Sequence, residues 1–537
     1  MNCVCRRHSV FVLTIAMALS GMALVLSGCE AGAPPAKQPA ISSAGVRLPS
    51  IISDNMVLQQ GKAVPIWGWA GANETVTVTG SWGRGKWKTT ADKDGKWMVK
   101  IDTGESGGPY EMTISNGSPV TVKNILIGEV WVCSGQSNME FTVKQAKNSA
   151  QEIAEANNYP QIRQFLVGRK VIYTPMYNCN GKWQIGSDKT AGNFTAAGYY
   201  FGRELTKQLN VPVGLINTSW GGTPAESWMS KDVLEADPNF QPIMKRFEKT
   251  AADINNIKAK YKEDIQKYNE VAPKLKAEGK PLPPKPEDVI GPGHPYSPTG
   301  LYNGMIVPII PYGIRGAIWY QGESNAWRAY QYRTLFPAMI KNWRDLWHQG
   351  DFPFLFVQLA NYQATNPEPG ESDWAELREA QLMTLSMPNT GMAVIIDVGE
   401  ANDIHPKNKQ DVGKRLALWA LAKTYGKNIV YSGPIYKSMT VDGNKIVLAF
   451  DDIGGGLVAK GDSLKGFAIA GADKKFVWAD ANIEGDTIVV SSDKVSVPVA
   501  VRYAWAINPL CNLYNKEGLP ATPFRTDTWP GVTAGKR

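Results

Sequence analysis

The stretch Glu129-Val-Trp-Val-Cys-Ser-Gly-Gln-Ser-Asn-Met139 decides the fold, because an apolar run passes directly into a glycine-containing turn. Its first five residues are typical of a buried β-strand, and Gly135-Gln-Ser-Asn-Met139 predicts a turn that leads into a helix. This order places the Ser137 hydroxyl at the carboxyl edge of a sheet, where α/β proteins bind ligands. The stretch therefore predicts an α/β domain with Ser137 as a candidate nucleophile.

Apolar runs that alternate with helical patterns surround this stretch and indicate a parallel sheet. These runs are Val213-Gly-Leu-Ile216, Gly316-Ala-Ile-Trp319, Phe354-Leu-Phe-Val357 and Met392-Ala-Val-Ile-Ile396. We predict a three-layer α/β domain over residues 128–427. Within it, a Lys-, Glu- and Asp-rich segment at about residues 231–288 predicts a helical insertion.

The chain of 537 residues is too long for one hydrophobic core, so further domains are expected. Residues 46–127 consist of short alternating runs separated by Gly-, Asp- and Asn-rich turns, which predicts an N-terminal β-sandwich. Alternation returns over residues 428–537 and predicts a C-terminal β-domain. The α/β domain should therefore be flanked by β-structure on both sides.

The N-terminal residues predict export. Residues 1–29 combine Arg6 and Arg7 with an apolar run and end in Leu26-Ser-Gly-Cys29, which resembles a bacterial lipobox. We expect Cys29 to be lipidated and residues 30–45 to form a linker, so that the protein is anchored to a bacterial membrane, in the periplasm or at the cell surface. A plain secretory signal or a single membrane-spanning helix are the alternatives.

Composition and cysteine usage exclude several classes of protein. The formal net charge is +8 without any block of basic residues, so nucleic acid is not an expected partner. The abundant Trp and Tyr argue against disorder. After loss of the signal, the cysteines are too few for a disulfide framework and match no zinc motif, although one disulfide remains possible; they are Cys133, Cys179 and Cys511.

Histidines narrow the search for a base that works near neutral pH, because the chain has only His8, His294, His348 and His405. The first lies in the signal, the second in a Gly- and Pro-rich loop that could line a cleft, and the third at a predicted helix end. His405 lies in Asn402-Asp-Ile-His-Pro406, just after the apolar run that ends at Asp397. It is the candidate base for Ser137.

Two further strand ends carry groups that an acyl-transfer site needs. Thr218-Ser-Trp-Gly-Gly-Thr-Pro224 has two glycines that let a backbone N–H approach an oxyanion. Trp319-Tyr-Gln-Gly-Glu-Ser-Asn325 supplies amide side chains. Donors held where negative charge develops contribute roughly 2.7–4 kcal/mol each to transition-state stabilisation.

The chain contains, in this order, the blocks G-Q-S-N-M, S-W-G-G-T-P-A-E-S-W, W-Y-Q-G-E-S-N and D-I-H-P-K-N. Together they resemble the SGNH hydrolases, and within these the sialate O-acetylesterase-like branch. The resemblance covers nearly the whole chain, including the N-terminal β-domain. It implies a Ser–His hydrolase that removes acetyl groups from sugar hydroxyls without a metal or another cofactor.

Carried over block by block, the resemblance makes Ser137 the nucleophile and His405 the base. The backbone N–H of Ser137 and a glycine of the pair Gly221 and Gly222 would contribute to the oxyanion hole, together with an amide from the third block. Ordinary two-step acyl transfer through an acetyl-enzyme follows.

Two departures from the wider family leave alternatives open. The wider family places its acidic residue three positions before the histidine, where this chain has Asn402, whereas Asp403 lies two positions before it. Either Asp403 or a main-chain carbonyl therefore orients the imidazole. The amide of the third block is shifted by one position, so Gln321 competes with Asn325 as the donor. Glu323 is interpreted as a strut behind the site, because a carboxylate beside the hole would oppose the oxyanion.

The substrate has two candidate classes, an O-acetylated sialic acid or another acetylated glycan such as xylan. A sialic acid carries a carboxylate, so an arginine is expected near Ser137. The α/β domain offers Arg163, Arg328, Arg378 and Arg415. A non-catalytic glycan-binding surface lipoprotein is the remaining alternative.

Overall fold

The computed structural model describes residues 45–537. The signal at residues 1–29, the lipidation site Cys29 and all but the last residue of the predicted linker at residues 30–45 lie outside the described residues. In the described part, no helix is both long enough and apolar enough to cross a membrane.

Seven strands open the described chain: β1 (Val57–Gln59), β2 (Ala63–Trp69), β3 (Thr75–Gly80), β4 (Lys86–Thr90), β5 (Lys96–Asp102), β6 (Gly107–Ser115) and β7 (Pro119–Gly135). β2 pairs with β5, while β4, β3, β6 and β7 form a second antiparallel ladder in that order. Both ladders contribute to the same core, for example through Ile66, Val78 and Ile114. The alternating runs of the sequence thus form β-structure with one buried face.

Strand β7 connects this region to the central sheet without interruption. Its first part pairs with β6, and its second part, from Glu129 onward, pairs with strands of the α/β core. The predicted boundary between residues 127 and 128 therefore lies inside a strand.

The central sheet contains β7 and six further strands: β8 (Ile162–Leu166), β9 (Trp183–Ile185), β10 (Val213–Ser219), β11 (Gly316–Tyr320), β12 (Phe354–Val357) and β13 (Thr390–Ala393). The strand order is β13-β12-β11-β7-β10-β8-β9, and every pair except β8–β9 is parallel. The mixed α/β fold with a mostly parallel sheet confirms the predicted fold class at this level. β7 is central, so its carboxyl end lies between those of β10 and β11.

The α-helices of residues 45–537 are α1 (Ser137–Glu140), α2 (Ser149–Glu155), α3 (Ala196–Leu209), α4 (Lys231–Ala236), α5 (Gln241–Ala252), α6 (Ile254–Ala277), α7 (Ala329–Trp347), α8 (Asp373–Met383) and α9 (Lys409–Trp419). Short 3₁₀ segments lie at Val143–Gln145, Ala156–Asn158, Ala191–Asn193, Ala225–Trp228, Val307–Ile309, Glu323–Arg328 and Thr384–Ser386, and π segments at Tyr302–Ile306 and Ala420–Thr424.

Helices cover both faces of the central sheet. On β7, Cys133 packs in a core with Phe201 of α3 and Leu416 of α9, whereas the preceding Val132 belongs to the core that includes Phe336 of α7. Successive residues of a strand point to opposite faces, so these two cores lie on opposite sides of the sheet. Helices α4, α5 and α6 occupy the segment predicted as an insertion.

The C-terminal strands are β14 (Ile435–Asp442), β15 (Lys445–Asp451), β16 (Leu457–Ala459), β17 (Phe467–Ala470), β18 (Val477–Trp478), β19 (Asp480–Glu484), β20 (Thr487–Ser491), β21 (Ala500–Tyr503), β22 (Leu513–Asn515) and β23 (Phe524–Arg525). They form antiparallel ladders around a core of their own. Arg378 of α8 connects this region to the α/β core, because its guanidinium donates to the carbonyls of Ala506 and Ile507 at 2.6 and 2.9 Å.

The three cysteines of the described part are free thiols, so the disulfide that the sequence allowed is not formed: Cys133, Cys179 and Cys511. Burial raises the pKa of the Cys179 thiol to about 12 and that of Cys511 to about 12. Such thiols behave as small apolar side chains.

Candidate active site

The carboxyl end of β7 turns sharply and presents Ser137 as the first residue of α1. Gly135 makes this turn with φ of +135°, and a Cβ there would clash with the carbonyl oxygen of Tyr320 on β11. Only glycine combines this backbone conformation with such a close approach. The turn brings the Ser137 Oγ within 2.8 Å of Nε2 of His405, which lies in the loop between β13 and α9.

The other ring nitrogen of His405 faces Asp403. The Asp403 Oδ1 lies 3.3 Å from Nδ1 and also accepts the backbone N–H of His405 at 2.9 Å, whereas Asn402 is exposed. A carboxylate at Nδ1 favours the tautomer that leaves Nε2 free to accept the Ser137 proton. Side-chain exposures of 43% for Asp403 and 35% for His405 leave the pair in contact with solvent, which weakens their Coulomb attraction.

The side chain of Asn138 holds the loop that carries His405 through hydrogen bonds. Its amide donates to Oε1 of Glu323 at 2.7 Å and to the carbonyl of Ile404 at 3.0 Å, and its Oδ1 accepts from Nζ of Lys409 at 2.7 Å. The contact with Ile404 holds the residue just before His405. Sequence reasoning did not single out Asn138 or Lys409, although both lie within four residues of a predicted catalytic residue.

Glu323 and Lys409 lie behind the site, and each is hydrogen-bonded to the side-chain amide of Asn138. Burial raises the pKa of Glu323, while its own backbone N–H, the Asn138 amide and the Lys409 charge lower it. Burial lowers the pKa of Lys409 to about 7, and nearby carboxylates, Glu323 foremost, oppose that shift. The Lys409 Nζ also lies 4.7 Å from the ring centre of Phe141. Glu323 accepts its side-chain hydrogen bond from Asn138 rather than from Ser137 or His405, and its role as a strut stays a prediction.

The glycine pair after β10 lies against the candidate nucleophile. A Cβ at Gly221 would lie 3.4 Å from Cβ of Ser137, and Gly222, with φ of +73°, is closed in by the Tyr296 hydroxyl. The N–H of Gly221 donates to Oε2 of Glu140 at 2.6 Å. It is therefore committed, whereas the N–H of Gly222 has no hydrogen-bond acceptor among residues 45–537. Of the predicted pair, Gly222 is thus the one with a free donor in the described part of the chain.

Both amides of the third block are committed to buried partners, which also differs from the sequence prediction. Asn325 donates to Glu226 at 2.9 Å, and its Oδ1 accepts from the Ala225 N–H at 2.9 Å and from the Gln321 amide at 2.6 Å. Gln321 accepts from the Tyr332 hydroxyl at 2.9 Å. A strand-end amide can turn toward the cleft or toward the core; Asn325 turns inward to the buried Glu226, and Gln321 turns inward to Asn325.

The four arginines considered for substrate recognition all have structural partners. Arg163 donates to backbone carbonyls of the N-terminal region, Arg378 to carbonyls of the C-terminal region, Arg415 to Asp397 and Arg328 to Glu226. Arg169 instead pairs with Glu140, the last residue of the helix that begins with Ser137. It follows β8 in a segment without regular structure, so no periodicity pointed to it.

The other two described histidines have different surroundings. The His294 ring contacts the edge of the Tyr296 ring, at 4.7 Å between ring centres. The Tyr296 hydroxyl lies against Gly222, so the Tyr296 side chain separates His294 from the Gly222 turn. His348 follows α7 with φ of +52° and caps its end. Among residues 45–537 no group of three or more His, Cys, Asp or Glu side chains has an arrangement suited to a metal ion.

Comparisons with known proteins agree with this geometry. Residues 127–260 and 297–422 match the family described as carbohydrate esterase, sialic acid-specific acetylesterase. Sialate O-acetylesterase of Rattus norvegicus is 32% identical over 89% of this chain and 94% of its own. Sialate O-acetylesterase of Homo sapiens is 31% identical over 91% of this chain and 94% of its own.

A solved structure extends the likeness to three dimensions. A carbohydrate acetylesterase from Xanthomonas citri matches with a TM-score of 0.77 and 39% identity, over 90% of this chain and 100% of its own. The family resemblance predicted from the four sequence blocks is confirmed. The chain thus belongs to the sialic acid-specific acetylesterase family of carbohydrate esterases and is an esterase that acts on acetylated carbohydrate.

Proposed function

We propose that the protein is a serine esterase that removes O-acetyl groups from sialic acid through an acetyl-enzyme. The observation that carries the mechanism is the 2.8 Å contact between Ser137 Oγ and His405 Nε2, with Asp403 at the other ring nitrogen. Ser137 attacks the acetyl carbonyl while His405 takes its proton. The imidazolium then returns that proton to the departing sugar hydroxyl, and water activated by His405 releases acetate.

The oxyanion that forms on the acetyl carbonyl needs donors beside Ser137. We assign this role to the backbone N–H groups of Ser137 and Gly222. The assignment is supported by the packing of the glycine turn against Ser137 and by the uncommitted N–H of Gly222. Each such donor lowers the barrier by roughly 2.7–4 kcal/mol.

A histidine base predicts a loss of activity in acid. We expect kcat/KM to fall in acid, because a protonated imidazole has no lone pair to accept the Ser137 proton. Initial rates of acetate release between pH 4 and pH 9 measure this. A profile that stays flat down to pH 4, with the fold intact by circular dichroism, would rule out a histidine base.

The named activity of the mammalian relatives supports sialic acid as the sugar. A second candidate, an acetylated neutral polysaccharide such as xylan, is favoured by the higher identity, 39%, to the bacterial enzyme described only as a carbohydrate acetylesterase. The geometry of the acyl-transfer groups serves both substrates equally. The two candidates therefore differ in sugar recognition and share one mechanism.

Acetate release from 9-O-acetylated sialic acid and from acetylated xylan decides between them. We expect the purified chain to deacetylate the sialic acid with the higher kcat/KM, and the Ser137→Ala variant to serve as the blank in both assays. A preference for xylan would retain the mechanism and replace the substrate. Absence of release from both substrates by folded protein would contradict the proposed function.

A further inference from the structure

The guanidinium of Arg169 lies at the rim of the candidate active site. It forms an ion pair with the carboxylate of Glu140, and its central carbon lies 5.2 Å from the ring centre of Trp220. Nearly half of the Arg169 side chain, 47%, is exposed. The four arginines that the sequence suggested are instead engaged with structural partners. Arg169 therefore combines a defined position with access from solvent.

Glu140 holds this guanidinium close to the nucleophile. It is the last residue of α1, the helix that begins with Ser137, and its second carboxylate oxygen accepts the N–H of Gly221 at 2.6 Å. Gly221 in turn lies against Ser137, since a Cβ at Gly221 would be 3.4 Å from the Ser137 Cβ. A single carboxylate thus connects the arginine to the turn that borders the reacting hydroxyl.

The donor geometry of Arg169 suits a second carboxylate. A guanidinium has five N–H donors in a planar fork, and among residues 45–537 Arg169 makes one hydrogen bond, to Glu140. Its remaining N–H groups can bind a carboxylate through two parallel hydrogen bonds. The Trp220 ring limits the rotation of the guanidinium and offers an apolar face to a sugar ring.

We propose that Arg169 determines substrate specificity by binding the carboxylate of the O-acetylated sialic acid while Ser137 attacks its acetyl group. This inference rests on the proposed function and adds the recognition of the acidic sugar to it. A neutral acetylated sugar has no group for Arg169. The contribution of Arg169 should therefore depend on the substrate's negative charge.

The test compares Arg169→Gln with the wild type on three acetyl esters: 9-O-acetylated sialic acid, its methyl ester at the carboxyl group, and 4-nitrophenyl acetate. We expect KM for the acid to rise about 10- to 100-fold, the loss typical of a hydrogen-bonded charge pair, with kcat changed less than about twofold. The wild type should show a similar rise in KM for the methyl ester. Arg169→Gln should act on both sugar esters equally well.

Lys407→Gln is the matched control, because Lys407 is also an exposed cation paired with a carboxylate, that of Glu400, and lies two residues from His405. We expect it to leave KM for the acid nearly unchanged. Arg169→Lys keeps the charge without the planar fork and should recover only part of the affinity.

The outcomes separate the inference from the proposed function. Equal losses on all three esters in Arg169→Gln would assign Arg169 to holding Glu140 and the Gly221 turn, and would overturn the inference. An unchanged KM for the acid in Arg169→Gln would overturn it as well while leaving the proposed function in place. If the wild type hydrolyses 4-nitrophenyl acetate but does not hydrolyse the acetylated sialic acid, both the inference about Arg169 and the proposed function are contradicted.

Discussion

The Ser137→Ala variant should lose about 10⁴-fold or more in kcat/KM for acetate release, because alanine lacks the hydroxyl that would form the acyl-enzyme. The Ser137 hydroxyl contacts the Nε2 of His405, and alanine leaves the surrounding backbone unchanged. The fold and the binding of substrate should persist. Steady-state rates on an acetylated sugar, with substrate binding to the variant measured by calorimetry, check both statements.

The His405→Gln variant provides the control for this result. If Ser137 and His405 act as one unit, the double variant Ser137→Ala with His405→Gln should have an activity within about tenfold of that of each single variant. Multiplied losses would show that the two residues act independently. A Ser137→Ala variant that keeps more than a tenth of the activity would contradict the proposed nucleophile.

The second large effect concerns stability and follows from the ion pair between Arg328 and Glu226. The Nη2 of Arg328 lies 2.5 Å from Glu226, and the exposures of the two side chains are only 3% and 6%. Arg328→Met should lower the free energy of unfolding by about 3–5 kcal/mol, because it leaves a buried carboxylate without its partner. Urea unfolding followed by tryptophan fluorescence measures the loss.

Two further variants test whether the loss of stability in Arg328→Met comes from the unpaired charge of Glu226. Arg169→Gln breaks an exposed ion pair and should change stability by at most about 1 kcal/mol. Adding Glu226→Gln to Arg328→Met removes the charge and keeps an oxygen for the amide of Asn325, so much of the stability should return. A double variant less stable than Arg328→Met would instead indicate lost packing.

The sequence was sufficient to predict that Ser137 and His405 lie close together, because each follows an apolar strand that ends at the same edge of a parallel sheet. Glu140 could also have been found, since it lies one helical turn after Ser137. The inward orientation of Asn325 could not, because it depends on the burial of Glu226 in another block. The approach of Arg169 to Glu140 is likewise a tertiary contact between segments that share no pattern.

The predicted boundary between residues 127 and 128 lies inside β7, and the burial pattern of this strand explains its position. The residues of β7 alternate between exposed and buried up to Ile125 and are continuously buried from there to Gly135. This change resembles the end of one domain and the start of another. It coincides with the point at which a single strand passes from a sheet with one buried face into a sheet covered on both faces.

The continuity of β7 has a consequence for synthesis of the chain. Its neighbour in the central sheet, β11, begins at Gly316, about 180 residues after β7 ends. At ribosomal rates of roughly 5–20 residues per second, the apolar second half of β7 waits about 10–40 s for that partner. The first half can pair with β6 as soon as both emerge. The nascent protein therefore presents a half-paired apolar strand, the kind of segment that chaperones shield from aggregation.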